Sequence, residues 1–221
     1  MTAQAGGASP PSSRLVPLRE ARRRIRQLRH EIPPGERKAA DRAIRAELRR
    51  LHIWRAGSRI AVFLGMSDEV DLRPCFDEAW GRGIRLYVPL ILNLRKGAMA
   101  FVPLDRDAPL ARNWFGIDEP ANVLHRRVTA RELDVILAPL LGFDAQCHRL
   151  GMGAGFYDRA MRRRVDRGAT FRRPRLIGVA YAIQQVDRID PAPWDVALDM
   201  VVTERGAVRP SPAASPGGPH P

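Results

Sequence analysis

Six short apolar runs, spaced along the chain and separated by polar segments, constrain this sequence more than any other feature. They cover residues 59–64 (RIAVFL), 84–90, 99–104, 134–140 (DVILAPL), 175–181 and 197–203. Runs of this length, apolar throughout instead of alternating, read as strands buried on both faces. Helical spacing fills the intervals. Leu18, Ala21, Ile25 and Leu28 recur on one face, and Pro33-Pro34-Gly35 then breaks the chain. Ala40, Ile44, Leu48 and Leu51 mark a second helix, residues 72–80 a third and residues 156–166 a fourth. Strands alternating with helices predict an α/β fold in three α/β/α layers with a mainly parallel central sheet.

The ends differ in composition. Residues 1–17 are rich in Ala, Gly, Pro and Ser, and residues 206–221 are Pro-rich. Both read as disordered tails with little to bury, flanking one domain over residues 18–205. A chain of 221 residues can close a core without staples. Cys75 and Cys147 stand far apart, which argues against a disulfide framework or a thiolate zinc site. No run reaches the roughly 18 apolar residues of a membrane span, and the first residues lack a secretory pattern. A cytoplasmic protein with no membrane partner is expected.

The formal charge is +13. It is concentrated: residues 14–50 balance to +8 and residues 159–175 to +7, so the remainder is slightly acidic. Such charge raises the question of nucleic acid. The basic segments lack the interleaved aromatics that stack on bases, which weighs against that partner.

The most informative stretch is RLGMGAGFYDR, residues 149–159, which follows a strong strand and opens a helix. Glycines allow a sharp turn and close backbone approach to a ligand. Helix-start N–H groups at the positive end of the dipole suit phosphate. Arg149 and Arg159 can neutralise phosphate oxygens, and Asp158 can hold Mg²⁺ or simply favour the helix start. No Gly-Lys-Ser/Thr follows, so the stretch is not a Walker loop.

This stretch resembles the hallmark loop of the 5-formyltetrahydrofolate cyclo-ligase family. Further segments match that family in order. They are Phe63-Leu64-Gly65-Met66-Ser67-Asp68-Glu69-Val70, Phe115-Gly116-Ile117-Asp118-Glu119-Pro120, Gly142-Phe143-Asp144, Gly178-Val179-Ala180-Tyr181 with Gln184, Trp194-Asp195 and Val201-Val202-Thr203-Glu204. The resemblance spans about residues 18–205. It implies a Rossmann-like (NagB/RpiA/CoA-transferase-like) fold and ATP-dependent conversion of 5-formyltetrahydrofolate (folinic acid) to 5,10-methenyltetrahydrofolate. ADP and phosphate are released, and Mg²⁺ assists. Carried onto this chain, it implies ATP contacts from Arg22, Arg149, Leu150, Gly151, Met152, Gly153, Ala154, Gly155, Phe156 and Tyr157. Arg149, Tyr157 and Asp158 would be catalytic, and Asp158 and Asp195 metal-binding. Leu64, Glu69, Phe115 and Phe156 would hold the folate, with the Glu69 carboxylate accepting from the pterin's amino-pyrimidinone edge. A monomer or weak homodimer is expected.

Two positions depart from the pattern. Leu18 stands where the family has Lys, and Ala154 where a loop Gly is frequent. A left-handed backbone at Ala154 would cost about 1 kcal/mol. The alternatives in view are a paralogue acting on a related substrate and a non-catalytic nucleotide- or nucleic-acid-binding module.

Overall fold

A computed structural model describes residues 18–113, 116–121, 123–165 and 173–211. The expected tail at 1–17, residues 212–221 of the expected tail at 206–221, and Phe115 lie outside the described residues.

Two helices come first, α1 (Leu18–His30) and α2 (Pro34–Arg50). Pro34 sits at the first position of α2, where its missing N–H has no intrahelical partner to lose. The first two parallel strands are β1 (Arg59–Ala61) and β2 (Arg85–Asn93), joined through α3 (Phe76–Gly81). A 3-10 turn at Arg73–Cys75 forms the start of the expected third helix. Strand β2 turns back into β3 (Ala98–Pro103), and β4 (Leu110–Arg112) and β5 (Asp118–Pro120) make a small separate ribbon. Then follow β6 (Val135–Pro139), the ribbon β7 (Gly142–Phe143) and β8 (Arg149–Leu150), and α4 (Phe156–Val165). The chain closes with β9 (Arg175–Val179), β10 (Met200–Thr203) and β11 (Gly206–Val208).

Among the described residues the main sheet has seven strands in the order β11-β10-β9-β6-β1-β2-β3. The inner pairs β10/β9, β9/β6, β6/β1 and β1/β2 are parallel, and both edge pairs are antiparallel. The expected mainly parallel α/β sheet is present. Side chains alternate between two cores. Ile60, Leu86, Val88, Val135, Leu137, Ile177 and Val202 pack in one, with Ile44 and Leu48 of α2 and Phe76 of α3. Ala61, Tyr87, Ile136, Ala138, Leu176 and Val201 pack in the other, with Met161 of α4. A sheet covered on both faces cannot show polar alternation, which is why its strands read as continuous apolar runs.

One boundary needs correcting. Residue 206 was read as the start of a tail, yet Gly206–Val208 pairs with Val201–Thr203 as an edge strand. Its composition is bland because one neighbour and partial exposure suffice for an edge.

The parallel strands reverse direction of progression between β1 and β6. From β1 the chain moves outward to β2; from β6 it moves the other way, to β9 and β10. Crevices at such a switch point, beyond the strand C-termini, are the usual ligand sites of open α/β sheets. The segment holding Leu64 and Glu69 follows β1. The segment holding the glycine loop follows β6.

Candidate functional site

The glycine loop hangs between β8 and α4. Gly153 has φ +104° and Gly155 φ +64°, conformations that side-chain-bearing residues rarely adopt. Ala154 is not among the left-handed residues. The alanine is therefore compatible with the loop, and the strain cost considered for it does not arise. Helix α4 then begins at Phe156, with its first N–H groups open toward the loop.

Arg149 lies at the head of this loop with its side chain only 6% exposed. Its Nη2 donates to Asp158 Oδ1 at 2.6 Å, and its guanidinium lies 5.3 Å from the centre of the Tyr157 ring. Its Nη1 is buried and has no hydrogen-bond partner among the described residues. A buried cationic donor left unpaired is costly and calls for an anionic acceptor. Asp158 Oδ1 also accepts the Val196 amide at 3.3 Å. Burial pushes the Tyr157 hydroxyl well above its ordinary pKa, so it stays protonated and can donate.

Arginines from elsewhere brace the loop. Arg22 of α1 donates through Nε to the Gly151 carbonyl at 3.0 Å. A Cβ built on Gly153 would approach its guanidinium to 3.7 Å. Arg159 hydrogen-bonds the Ala154 carbonyl and donates to the Gly97 carbonyl at 3.1 Å, tying the loop to the β2–β3 turn. Phe156 lies beside Arg159, and Met152 is an exposed apolar tip.

Across the switch point, Glu69 is largely shielded, with its side chain 13% exposed. Oε2 accepts the Met66 amide at 3.1 Å, and Oε1 pairs with Arg29 Nη1 at 3.3 Å. Burial pushes its carboxyl above the ordinary range, and the Arg29 charge opposes that push. Leu64 is buried in the core, so its contact with a ligand is limited to an edge.

Asp195 is exposed, and its Oδ2 accepts the Ala192 amide at 2.9 Å. Its neighbour Val196 is the residue bonded to Asp158, so the two candidate metal ligands belong to one corner. Among the described residues no group of three or more metal-ligating side chains occurs. A site of one or two carboxylates nonetheless suits Mg²⁺, which keeps several waters and takes the rest of its shell from substrate phosphates. Asp158 is pinned by Oδ1, which leaves Oδ2 available.

Cavities are also found away from the loop. One of about 310 Å³ opens at the strand N-termini, lined by Arg55, Asp134 and Arg175 among others. One of about 510 Å³ lies between α2 and the segments around Tyr181 and Glu204.

Residues outside the expected set also shape the site. Arg29 is 2% exposed and bonds both Asp68 and Glu69. Asp144 organises the turn before β8 by accepting from the Gln146, His148 and Ile189 amides and pairing with the His148 ring. Arg29 had one legible signal: it falls seven residues after Arg22 and so shares its helix face. Gln184 fills a structural role, bonding the Leu140 and Leu141 carbonyls and the Tyr181 amide.

Comparison with known proteins places the chain in a family. The model of the 5-formyltetrahydrofolate cyclo-ligase family matches residues 17–204. A 5-formyltetrahydrofolate cyclo-ligase from Mycolicibacterium smegmatis is 31% identical over 194 residues, covering 86% of this chain and 95% of that protein. One from Haemophilus influenzae is 28% identical over 179 residues, covering 81% and 93%. The solution structure of Aquifex aeolicus 5,10-methenyltetrahydrofolate synthetase superposes with a TM-score of 0.73 at 27% identity, covering 92% of this chain and 97% of that one. With the family model matched over residues 17–204, the chain belongs to the 5-formyltetrahydrofolate cyclo-ligase family.

Proposed function

We propose that this protein is an ATP-dependent 5-formyltetrahydrofolate cyclo-ligase, converting 5-formyltetrahydrofolate to 5,10-methenyltetrahydrofolate with release of ADP and phosphate. The observation that carries this reading is the buried, unpartnered Nη1 of Arg149 at the mouth of the glycine loop. It supports a phosphate site there, on the opposite side of the crevice from the Glu69 carboxylate.

The chemistry needs an activated oxygen, because a formamide oxygen is a poor leaving group. The formyl oxygen attacks the γ-phosphorus, an O–P bond forms, and the bond to ADP breaks. The neighbouring folate nitrogen then attacks the formyl carbon. As that ring nitrogen loses its proton, the C–O bond breaks and phosphate departs. Catalysis of such steps is mainly positioning and charge neutralisation. The loop from Leu150 to Tyr157 presents amides to the nucleotide phosphates, and Arg149 Nη1 and the Arg22 guanidinium add charge. Phe156 separates nucleotide from folate, Leu64 and Phe115 supply apolar contact, and Glu69 accepts from the pterin's N–H edge. Asp158 Oδ2 and Asp195 would hold Mg²⁺, which when bound neutralises the phosphate oxygens. We assign the protein to the cytoplasm as a monomer or weak homodimer.

The experiment is an absorbance assay. Purified protein with Mg-ATP and 5-formyltetrahydrofolate is expected to accumulate the near-ultraviolet band of the methenyl product. Asp158→Asn keeps an oxygen acceptor for Arg149 and is expected to lower kcat at least tenfold. No absorbance change in the wild type, together with no binding of ATP or folate by calorimetry, overturns the reading.

A further inference from the structure

We propose that Arg29 is a positioning residue for Glu69, and that α1 carries it as a rigid bridge between the glycine loop and the folate-side carboxylate. This inference rests on the folate role given to Glu69 above.

Arg29 is among the largest fully buried side chains of the described residues. A guanidinium is removed from water only where its donors are matched. Here Nε and Nη2 both meet Asp68 Oδ2, at 2.9 and 2.7 Å, while Nη1 meets Glu69 Oε1 at 3.3 Å. One cation therefore serves two adjacent carboxylates, and the cluster keeps a surplus negative charge. Asp68 takes the two shorter contacts. Glu69 takes the longer one and keeps capacity to accept further donors.

The Glu69 carboxylate is held at both ends, Oε1 by Arg29 and Oε2 by the Met66 amide at 3.1 Å. Each oxygen has two lone-pair directions. One on each is used internally, which leaves one on each for a ligand with two neighbouring N–H donors. Loss of the Arg29 contact would free the carboxylate to rotate and would remove the cation that opposes its desolvation.

Arg29 is itself fixed from behind, since its carbonyl accepts from Arg37 Nη2 at 2.8 Å. On the same helix face, two turns earlier, Arg22 Nε holds the Gly151 carbonyl at 3.0 Å. Seven residues of helix span about 10 Å. Helix α1 thus sets the separation between the phosphate cradle and Glu69. Arg22 and Arg29 are its two ends, and each answers to a different substrate.

The test is a mutant cycle read by steady-state kinetics and by folate affinity without ATP. Arg29→Lys keeps the charge but cannot span both carboxylates. It is expected to raise the folate KM and Kd about tenfold while the ATP KM moves less than threefold. Arg29→Met is expected to be worse for folate than Arg29→Lys, so the lysine rescues part of the loss. In a Glu69→Gln background, Arg29→Lys is expected to add less than threefold, because its route of action is already gone. An unchanged folate KM in Arg29→Lys, an equal rise in both KM values, or fully multiplicative effects with Glu69→Gln overturns the proposal. If the Arg29 variants do not fold, as judged by thermal unfolding, Asp68→Asn removes one of the anchors of Arg29 and enters the same cycle, with at least a threefold folate-specific rise expected and no rise overturning it. A wild type without methenyl formation or folate binding overturns the parent reading instead, before any variant is compared.

Discussion

Asp144 shows how one residue can organise a turn that carries no catalytic group. Its carboxylate is almost fully buried and gathers the Gln146, His148 and Ile189 amides. Burial pushes its carboxyl up, but bonds from the His148 ring and the Ile189 and His148 amides outweigh that, leaving it below the ordinary aspartate range. A depressed folded pKa stabilises the fold above the unfolded pKa, and that contribution disappears as pH falls through the folded one. Asp144→Asn is therefore expected to cost about 2 kcal/mol at neutral pH. The difference from wild type should shrink below about pH 4; urea titrations at several pH values measure it. Asp41 and Glu69 act with the opposite sign, since burial raises both, so the comparison of variant with wild type isolates Asp144. Cys147 closes the same turn at φ 60°, and its buried Sγ lies 3.5 Å from the Val208 carbonyl. That thiol packs in the core, and burial pushes it up to about 11, which makes it a poor nucleophile beside His148.

At the scale of elements, the glycine loop was legible as a turn between a strand and a helix; α4 follows it as expected, while the short β7–β8 ribbon stands between it and β6. What its sequence left open was which glycines carry the geometry. Gly153 and Gly155 are left-handed and Ala154 is not. Gly153→Ala is expected to strain the loop by about 1 kcal/mol or more and to raise the ATP KM at least several-fold. Ala154→Gly should leave both substrate KM values within twofold. Equal effects of the two, in the same assay, would remove the loop conformation from the account. The β4–β5 and β7–β8 ribbons and β11 escaped the sequence reading because they are two or three residues long and lack the longer apolar run that marks the equally short β1. The brace from Arg159 to the Gly97 carbonyl joins segments 62 residues apart, a distance no local pattern encodes.

Over the whole molecule, the net charge of +13 is the excess of cations left after every carboxylate is counted. Arg29 and Arg149, paired with partly buried carboxylates, add nothing to that excess, whereas Arg22 on the glycine loop bonds only a carbonyl. Surface arginines leave a field that favours anionic substrates at low ionic strength. Raising salt from about 50 to 500 mM shortens the Debye length to a few ångströms. Both the ATP and folate KM are then expected to rise several-fold, while any binding to DNA should vanish by physiological salt. Sequence-selective DNA binding that persists there, measured by fluorescence anisotropy, would restore the nucleic-acid alternative. The sequence by itself determined the α/β class, the glycine-rich turn before α4 and the family, because buried parallel strands and glycine turns leave local marks in composition and spacing. Only the tertiary structure decided that β1 and β6 are neighbours, and so that the segments holding Glu69 and the glycine loop leave the sheet side by side. It also decided that Arg29 is sunk against Asp68 and Glu69. Those are long-range pairings, set by how the sheet assembles and by which charges can leave water together.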